Sequence, residues 1–249
     1  GSGSRGNSLL VEIGRTRLLV DAGFGPAEMS RRLARLGVVT ADIDAVLVTH
    51  EHSDHIGGVA ACARRFGWSV RLTHGALAAW RERGGDMAAT LIDSHGPFSI
   101  GDISVHPFPV PHDAREPVQF VFSDGDRRLG VVTDAGHVTP FMVSMLDGCD
   151  ALVLECNHDV AMLDEGPYPE ALKRRIGGRW GHLDNGAAAS LLAQIERIHL
   201  HHVIAAHLSE KNNTTALARS ALAAVLQCDP EWVGIATQAG GLDWRDVRN

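Results

Sequence analysis

The sequence predicts an α/β fold in which two sheets pack face to face with helices on their outer faces. Three observations carry this reading. Short β-branched runs alternate with segments of helical period in both halves of the chain. No repeat, linker or shift in composition divides the 249 residues, so one domain spanning 1–249 is expected. The ligand-rich stretch Thr49-His50-Glu51-His52-Ser53-Asp54-His55 lies between a strand and a helix, where loops commonly carry function.

Residues 8–13 and 16–20 read as strands joined at Gly14-Arg15, a hairpin signal. Asp21-Ala22-Gly23 closes the second strand. Residues 26–36 form an amphipathic helix ended by Gly37, with Arg31, Arg32 and Arg35 on a solvated face. Asp44-Ala-Val-Leu-Val-Thr49 is a buried strand, and residues 59–66 carry apolar side chains at helical spacing. A strand over 68–72 and a helix over 75–83 follow, then a looser stretch from Gly84-Gly85 to Gly101. Strands are predicted over 103–110, 118–123 and 128–133, a helix over 140–146 and a strand over 150–154. The segment 157–185 is irregular, rich in Gly, Pro and basic residues; loops of this length are functional or disordered. A helix over 185–198, a strand over 202–206 and a helix over 214–226 complete the chain.

Hydrophobic residues make up 45% and charged residues 21%, as in ordinary globular proteins. No run approaches the roughly 20 apolar residues of a membrane helix. The four cysteines lack CxxC spacing, which fits reduced thiols in a cytoplasmic protein. A net charge of −7 argues against broad, non-specific nucleic-acid binding, although divalent ions would offset part of it locally. The 14 histidines, present without a His tag, are the stronger compositional signal.

His50 and His52, two apart on extended backbone, point the same way and can grip one metal ion. Asp54 and His55 come a turn later and can reach a second. The plain alternative is a solvated His-rich loop. So many ionisable groups behind a buried strand favour a metal site, because buried charge without a partner is costly.

The His-x-His-x-Asp-His pattern resembles the metallo-β-lactamase-fold hydrolases, whose architecture is an αββα sandwich. That superfamily spans lactamases, glyoxalase II enzymes, lactonases, ribonucleases and phosphodiesterases, so the motif implies the fold and two metals but no substrate. Carried over residue by residue, it implies a first ion on His50, His52 and His112 and a second on Asp54, His55 and His207. Asp134 would bridge them. His112, Asp134 and His207 each follow a predicted strand. A lone His or Asp there is more often a cap or a surface residue, but three strand ends supply the expected type in the expected order. Ligation by nitrogen and oxygen suits Zn or Mn without choosing between them.

Longer segments resemble the YycJ-like (WalJ) branch of that superfamily. They are Gly3-Ser-Arg-Gly-Asn7, Pro109-Val-Pro-His-Asp113, Thr133-Asp-Ala-Gly-His137, Leu154-Glu-Cys-Asn-His-Asp159, Gly166-Pro-Tyr-Pro169, Gly181-His-Leu-Asp-Asn185 and Ala206-His-Leu-Ser209. Together they cover nearly the whole chain. The branch comprises bacterial DNA exonucleases, so the resemblance implies a DNA substrate and 5′-to-3′ polarity. Cys156 and Asp184 stand where the branch usually has serine, and the added carboxylate at 184 is expected to weaken a phosphate contact. The opening Gly-Ser-Gly-Ser, which alone could be a linker, resembles a turn that follows the first strand. This places the first strand upstream of residue 1 and Asn7 at the substrate.

His182 lies in a loop ahead of the helix starting near Asn185. In related phosphodiesterases a histidine in an equivalent loop acts beside the metals without ligating them. The resemblance therefore implies a general acid that protonates the departing alkoxide after a hydroxide shared by the two ions attacks phosphorus. The alternative is a helix-cap neighbour without chemical role. His137 and His158 either orient a ligand or cap a strand end. Lys173, Arg174, Arg175 and Arg179 either hold flanking phosphates or mark an exposed helix end. Tyr168 and Trp180 either stack on a base or pack. A glyoxalase II-like or lactonase-like ester or thioester hydrolase would suit the acidic charge but leave His182 and the basic cluster without a task. A non-catalytic metal-binding regulatory protein would be expected to have lost ligands, and none is missing.

Overall fold

The computed structural model describes residues 1–247. One sheet comprises β1 (Leu9–Ile13), β2 (Thr16–Val20), β3 (Ala45–Leu47), β4 (Ser69–Thr73) and β5 (Thr90–Ile92), in that order. The other comprises β6 (Phe98–Ile100), β7 (Ile103–Pro109), β8 (Val118–Ser123), β9 (Arg128–Val132), β10 (Ala151–Glu155), β11 (His202–Ala206) and β12 (Gly234–Ile235), ordered β12-β11-β10-β9-β8-β7-β6. In the first sheet β1 and β2 form an antiparallel hairpin and the remaining pairs are parallel. In the second, β6 through β9 are antiparallel and β9 through β12 parallel.

Both faces of each sheet are covered, which is why the strands read as nearly continuous apolar runs. Side chains alternate between the layers with the period of two that a pleated strand imposes. Leu18, Val20 and Leu47 point between the sheets, against Phe120, Phe122, Val131, Val153 and Ile204. Leu19 and Val46 point outward against Met29 and Leu33 of α1 (Pro26–Arg35) and Val59 and Cys62 of α3 (Val59–Phe66). Val121, Val132, Leu152 and Leu154 meet Met142 and Leu146 of α5 (Pro140–Leu146), Leu191 and Leu192 of α8 (Asn185–Gln194) and Leu222 of α9 (Thr215–Leu226). The layers are helices, sheet, sheet, helices: an αββα sandwich of the metallo-β-lactamase fold.

The predicted elements differ from this in a few places. The loose stretch after Gly84 contains β5 and β6, three-residue strands too short to show a period. The segment expected to be irregular contains α6 (Val160–Glu165) and α7 (Glu170–Ile176), the first capped by Asp159 and the second preceded by Pro169. The alanine-rich α8 stops at Gln194, because Ile195 turns extended and buries its side chain in the core. β12 has two residues and was not foreseen. Arg32 is not on a solvated face: its guanidinium lies 4.0 Å over the Phe24 ring and donates to Gln238 O at 3.0 Å. Among the described residues no helix is long and apolar enough to cross a membrane.

Candidate metal centre

Strand ends from both sheets meet at one rim, and each delivers a polar side chain. β3 runs into His50 and His52, the short α2 (Ser53–Ile56) carries Asp54 and His55, and β7, β9 and β11 lead to His112, Asp134 and His207. A side chain on Gly23 would run into the Asp54 carbonyl, so glycine there lets α2 pack down onto the end of β2. Candidate ligand atoms of His50, His52 and His112 lie within 4.8 Å of one another, as do those of Asp54, His55 and His207. Asp134 groups in the same way with His50 and His55, so one carboxylate joins the two triads. His52 Nδ1 is 3.2 Å from His112 Nε2, and His207 Nε2 is 3.4 Å from Asp54 Oδ2.

One buried atom of this cluster, His50 Nε2, has no hydrogen-bond partner among the described residues. An orphaned buried polar atom costs about 1–3 kcal/mol, and a cation among the nitrogen and oxygen donors satisfies it. The residues fit a divalent metal.

A second ring of bonds fixes the imidazoles. His50 Nδ1 donates to Thr49 Oγ1 at 3.0 Å, and that hydroxyl donates to Asp21 Oδ2 at 2.8 Å. His55 Nδ1 donates to the same Asp21 oxygen at 2.7 Å. His112 Nδ1 donates to Gly181 O at 2.9 Å, and His207 Nδ1 to Glu155 Oε1 at 3.1 Å. The opposite nitrogen of each ring is thereby left for the centre. Asp21 and His207 adopt φ of 60° and 54°, sparsely populated values for residues other than glycine; strained backbone of this kind collects at sites that the surrounding structure over-determines.

Charge follows the same plan. Burial, then the His55 charge, holds His50 well below the ordinary imidazole range, and burial lowers His52. Burial opposes the charged forms of His55 and His207 too, yet the Asp134 carboxylate and further partners outweigh it. His55 is held well above its usual value and His207 is raised to about 10. Asp134 and Asp54 are held below the usual carboxylate range; burial resists this, and neighbouring imidazoles prevail.

A β-lactamase superfamily domain matches residues 16–207. The chain is 38% identical over 91% of its length to the exodeoxyribonuclease YycJ of Bacillus anthracis, covering 87% of that protein. It is 34% identical over 87% of its length to the exodeoxyribonuclease WalJ of Streptococcus pneumoniae, covering 82% of it. The chain belongs to the YycJ/WalJ family of the β-lactamase superfamily. The metallo-β-lactamase-fold protein YhfI of Bacillus subtilis superposes with a TM-score of 0.73 across 96% of this chain and 92% of that one; at 16% identity it speaks for the fold alone. The fold and the His/Asp clusters are those of a divalent-metal site.

Not every residue expected at the site reaches it as a free group. His182 does: its ring centroid is 5.2 Å from that of His112 and 5.3 Å from that of His207. Its Nδ1 donates to Glu155 Oε1 at 2.8 Å. Burial disfavours its charged form, but the Glu155 charge and hydrogen bond raise it above the ordinary value. Asn7, expected on the substrate, is instead buried: its amide donates to Gly3 O and Asp54 Oδ2, each at 3.1 Å, and its carbonyl accepts from Ser2 and Gly3. It positions Asp54. Lys173 donates to Asp164 O at 2.6 Å and ties α7 to α6. Arg175 bonds Asp113 Oδ2 at 2.6 Å, beside His52, whereas Arg174 and Arg179 are exposed and form no ion pair among the described residues. The Asp184 carboxylate caps α8 by accepting from Gly186 N and Ala187 N. His137 donates to Arg179 O at 2.8 Å, and Tyr168 lies under Lys211. Cys156 is buried at the end of β10, as a small replacement for serine can be.

Three residues of the site were not singled out from sequence: Asp21, Thr49 and Glu155. Asp21 and Glu155 share a legible signal with the ligands, an acidic residue at the end of an apolar strand, but neither belongs to the His-x-His-x-Asp-His run. Glu155 Oε2 also accepts from Ala135 N at 2.9 Å and Leu183 N at 3.1 Å. Burial resists the charge of this fully buried carboxylate, but the His182 charge and the hydrogen bonds from His182 and His207 hold it below the ordinary range.

Proposed function

We propose that the chain is a dinuclear metal-dependent phosphodiesterase, a DNA exonuclease of 5′-to-3′ polarity. His50, His52 and His112 would hold one Zn or Mn ion and Asp54, His55 and His207 the other, with Asp134 between them. The observation that carries the reading is His182, an imidazole beside both triads and fixed by a carboxylate outside them. The kinship with proteins named exodeoxyribonucleases supports it.

Two divalent ions held there would supply a nucleophile from water at neutral pH and offset charge on the phosphodiester. The chain's own residues do the rest. Glu155 accepts the hydrogen bond from His182 Nδ1, so Nε2 is the nitrogen that can hand a proton to the departing oxygen. The same carboxylate orients His207, and Asp21 orients His55 and, through Thr49, His50. Asn7 steadies the Asp54 carboxylate. A single domain over 1–249 and a cytoplasmic setting belong to the same proposal, in keeping with four free cysteines.

End-labelled single- and double-stranded DNA, incubated with Zn- and Mn-loaded protein, tests the reading. Stepwise release of nucleotides from the 5′ end is expected. Hydrolysis of esters or thioesters without attack on any nucleic acid would replace it.

A further inference from the structure

Trp180 stands in solvent at the rim of the metal centre, 60% exposed, in the loop between α7 and α8 that carries His182. The backbone beneath it is pinned at successive residues. Arg179 O accepts from His137 Nδ1 at 2.8 Å, Trp180 O from Asp113 N at 2.9 Å and Gly181 O from His112 Nδ1 at 2.9 Å. His182 N donates to Ile176 O at 2.9 Å. A side chain on Gly181 would run into the carbonyls of Arg175 and Ile176, so the loop closes this tightly only with glycine there. The Trp180 backbone is therefore fixed relative to His112 while its ring stays wet. Its one ring neighbour among the described residues is His137, edge-on at 6.3 Å.

Burying an indole stabilises a fold, and an aromatic side chain held in water on a pinned backbone beside a reactive centre is suited to binding. Its surroundings indicate what covers it. Arg174 and Arg179 are exposed without an ion pair among the described residues, and Arg175 sits against Asp113 at the mouth of the site. An exposed indole with arginines on its own loop and on the helix end before it matches a nucleotide, whose base stacks and whose phosphate pairs.

Building on the phosphodiesterase reading above, we infer that Trp180 is the stacking platform for an unpaired nucleobase next to the scissile phosphate. The substrate is then engaged as a single strand. A base inside a duplex is already stacked and paired and has no free face for the ring.

The test compares cleavage by metal-loaded parent, Trp180→Ala and Trp180→Phe. The substrates are a single-stranded oligonucleotide and a series in which one nucleotide at a time near the cleaved end is abasic. Trp180→Ala is expected to lose about 5- to 150-fold in kcat/KM on the intact strand, mostly through KM, and Trp180→Phe to keep most of the activity. At the stacked position the abasic strand costs the parent a similar factor and costs Trp180→Ala nothing more. Unchanged melting temperatures exclude a folding defect. Equal kcat/KM for Trp180→Ala and parent, or losses that multiply at every abasic position, would overturn the inference. If the parent cleaves no nucleic acid, the phosphodiesterase reading beneath it fails instead.

Discussion

Glu155 Oε1 accepts from His182 Nδ1 at 2.8 Å, and the same oxygen lies 3.1 Å from His207 Nδ1. One buried carboxylate thus orients both a candidate ligand and the candidate acid. Glu155→Gln keeps the shape but loses the charge that faces both imidazoles. Support of this kind is typically worth about 10- to 100-fold in activity or metal affinity. At saturating metal, kcat on DNA is expected to fall on that scale; a variant as fast as the parent would remove Glu155 from the account.

His182→Ala separates proton transfer from metal binding. General acid catalysis contributes about 10²–10⁴-fold, so DNA cleavage should slow by that much while metal content stays at the parent's level. The loss should shrink on a nitrophenyl phosphodiester, whose leaving group needs no proton. Equal losses on both substrates would make His182 a positioning residue, and a lost metal would make it a ligand.

Asp54→Ala should abolish hydrolysis and leave the core intact. The carboxylate touches His207, His55 and Asn7 at the rim, whereas the sheets pack through Leu18, Leu47, Phe120 and Val131 below it. Circular dichroism matching the parent, with activity at background, is the expected pair of results. Near-parent rates would exclude a role for the second triad in the chemistry.

The candidate ligand positions were legible because they obey local rules: a compact motif after an apolar strand, then single His or Asp residues at later strand ends. The sheets were legible for the same reason, since Val-, Leu- and Ile-rich runs declare buried strands. What sequence could not show is where side chains go once the ends converge. Asn7 and the Lys173–Arg175 cluster looked alike as polar residues near the site. Only packing reveals that Asn7 serves Asp54, that Lys173 ties two helices together, and that Arg175 reaches the rim through Asp113. Glu155 and Asp21 stayed hidden because their partners are 27 and 34 residues away in sequence.

Metal binding should release protons. In the metal-free fold His207 is raised to about 10, because Asp134, Asp54 and Glu155 together outweigh its burial, and His55 is also held high. A folded-state pKa above the unfolded value of about 6.5 stabilises the metal-free protein fully below that pH, and the contribution is lost as pH rises towards 10. At pH near 7.5 the cation must displace that proton from the imidazole. Calorimetric titration in buffers of different ionisation enthalpy should report at least about one proton released per chain. Buffer-independent heats would contradict the protonation pattern.

The central claim is that His50, His52, His112, Asp54, His55, His207 and Asp134 together hold two divalent ions. Elemental analysis of protein reconstituted with Zn or Mn and freed of excess metal measures this directly. Close to two ions per chain are expected, falling to about one in Asp54→Ala. Well under one ion per chain after reconstitution would contradict it.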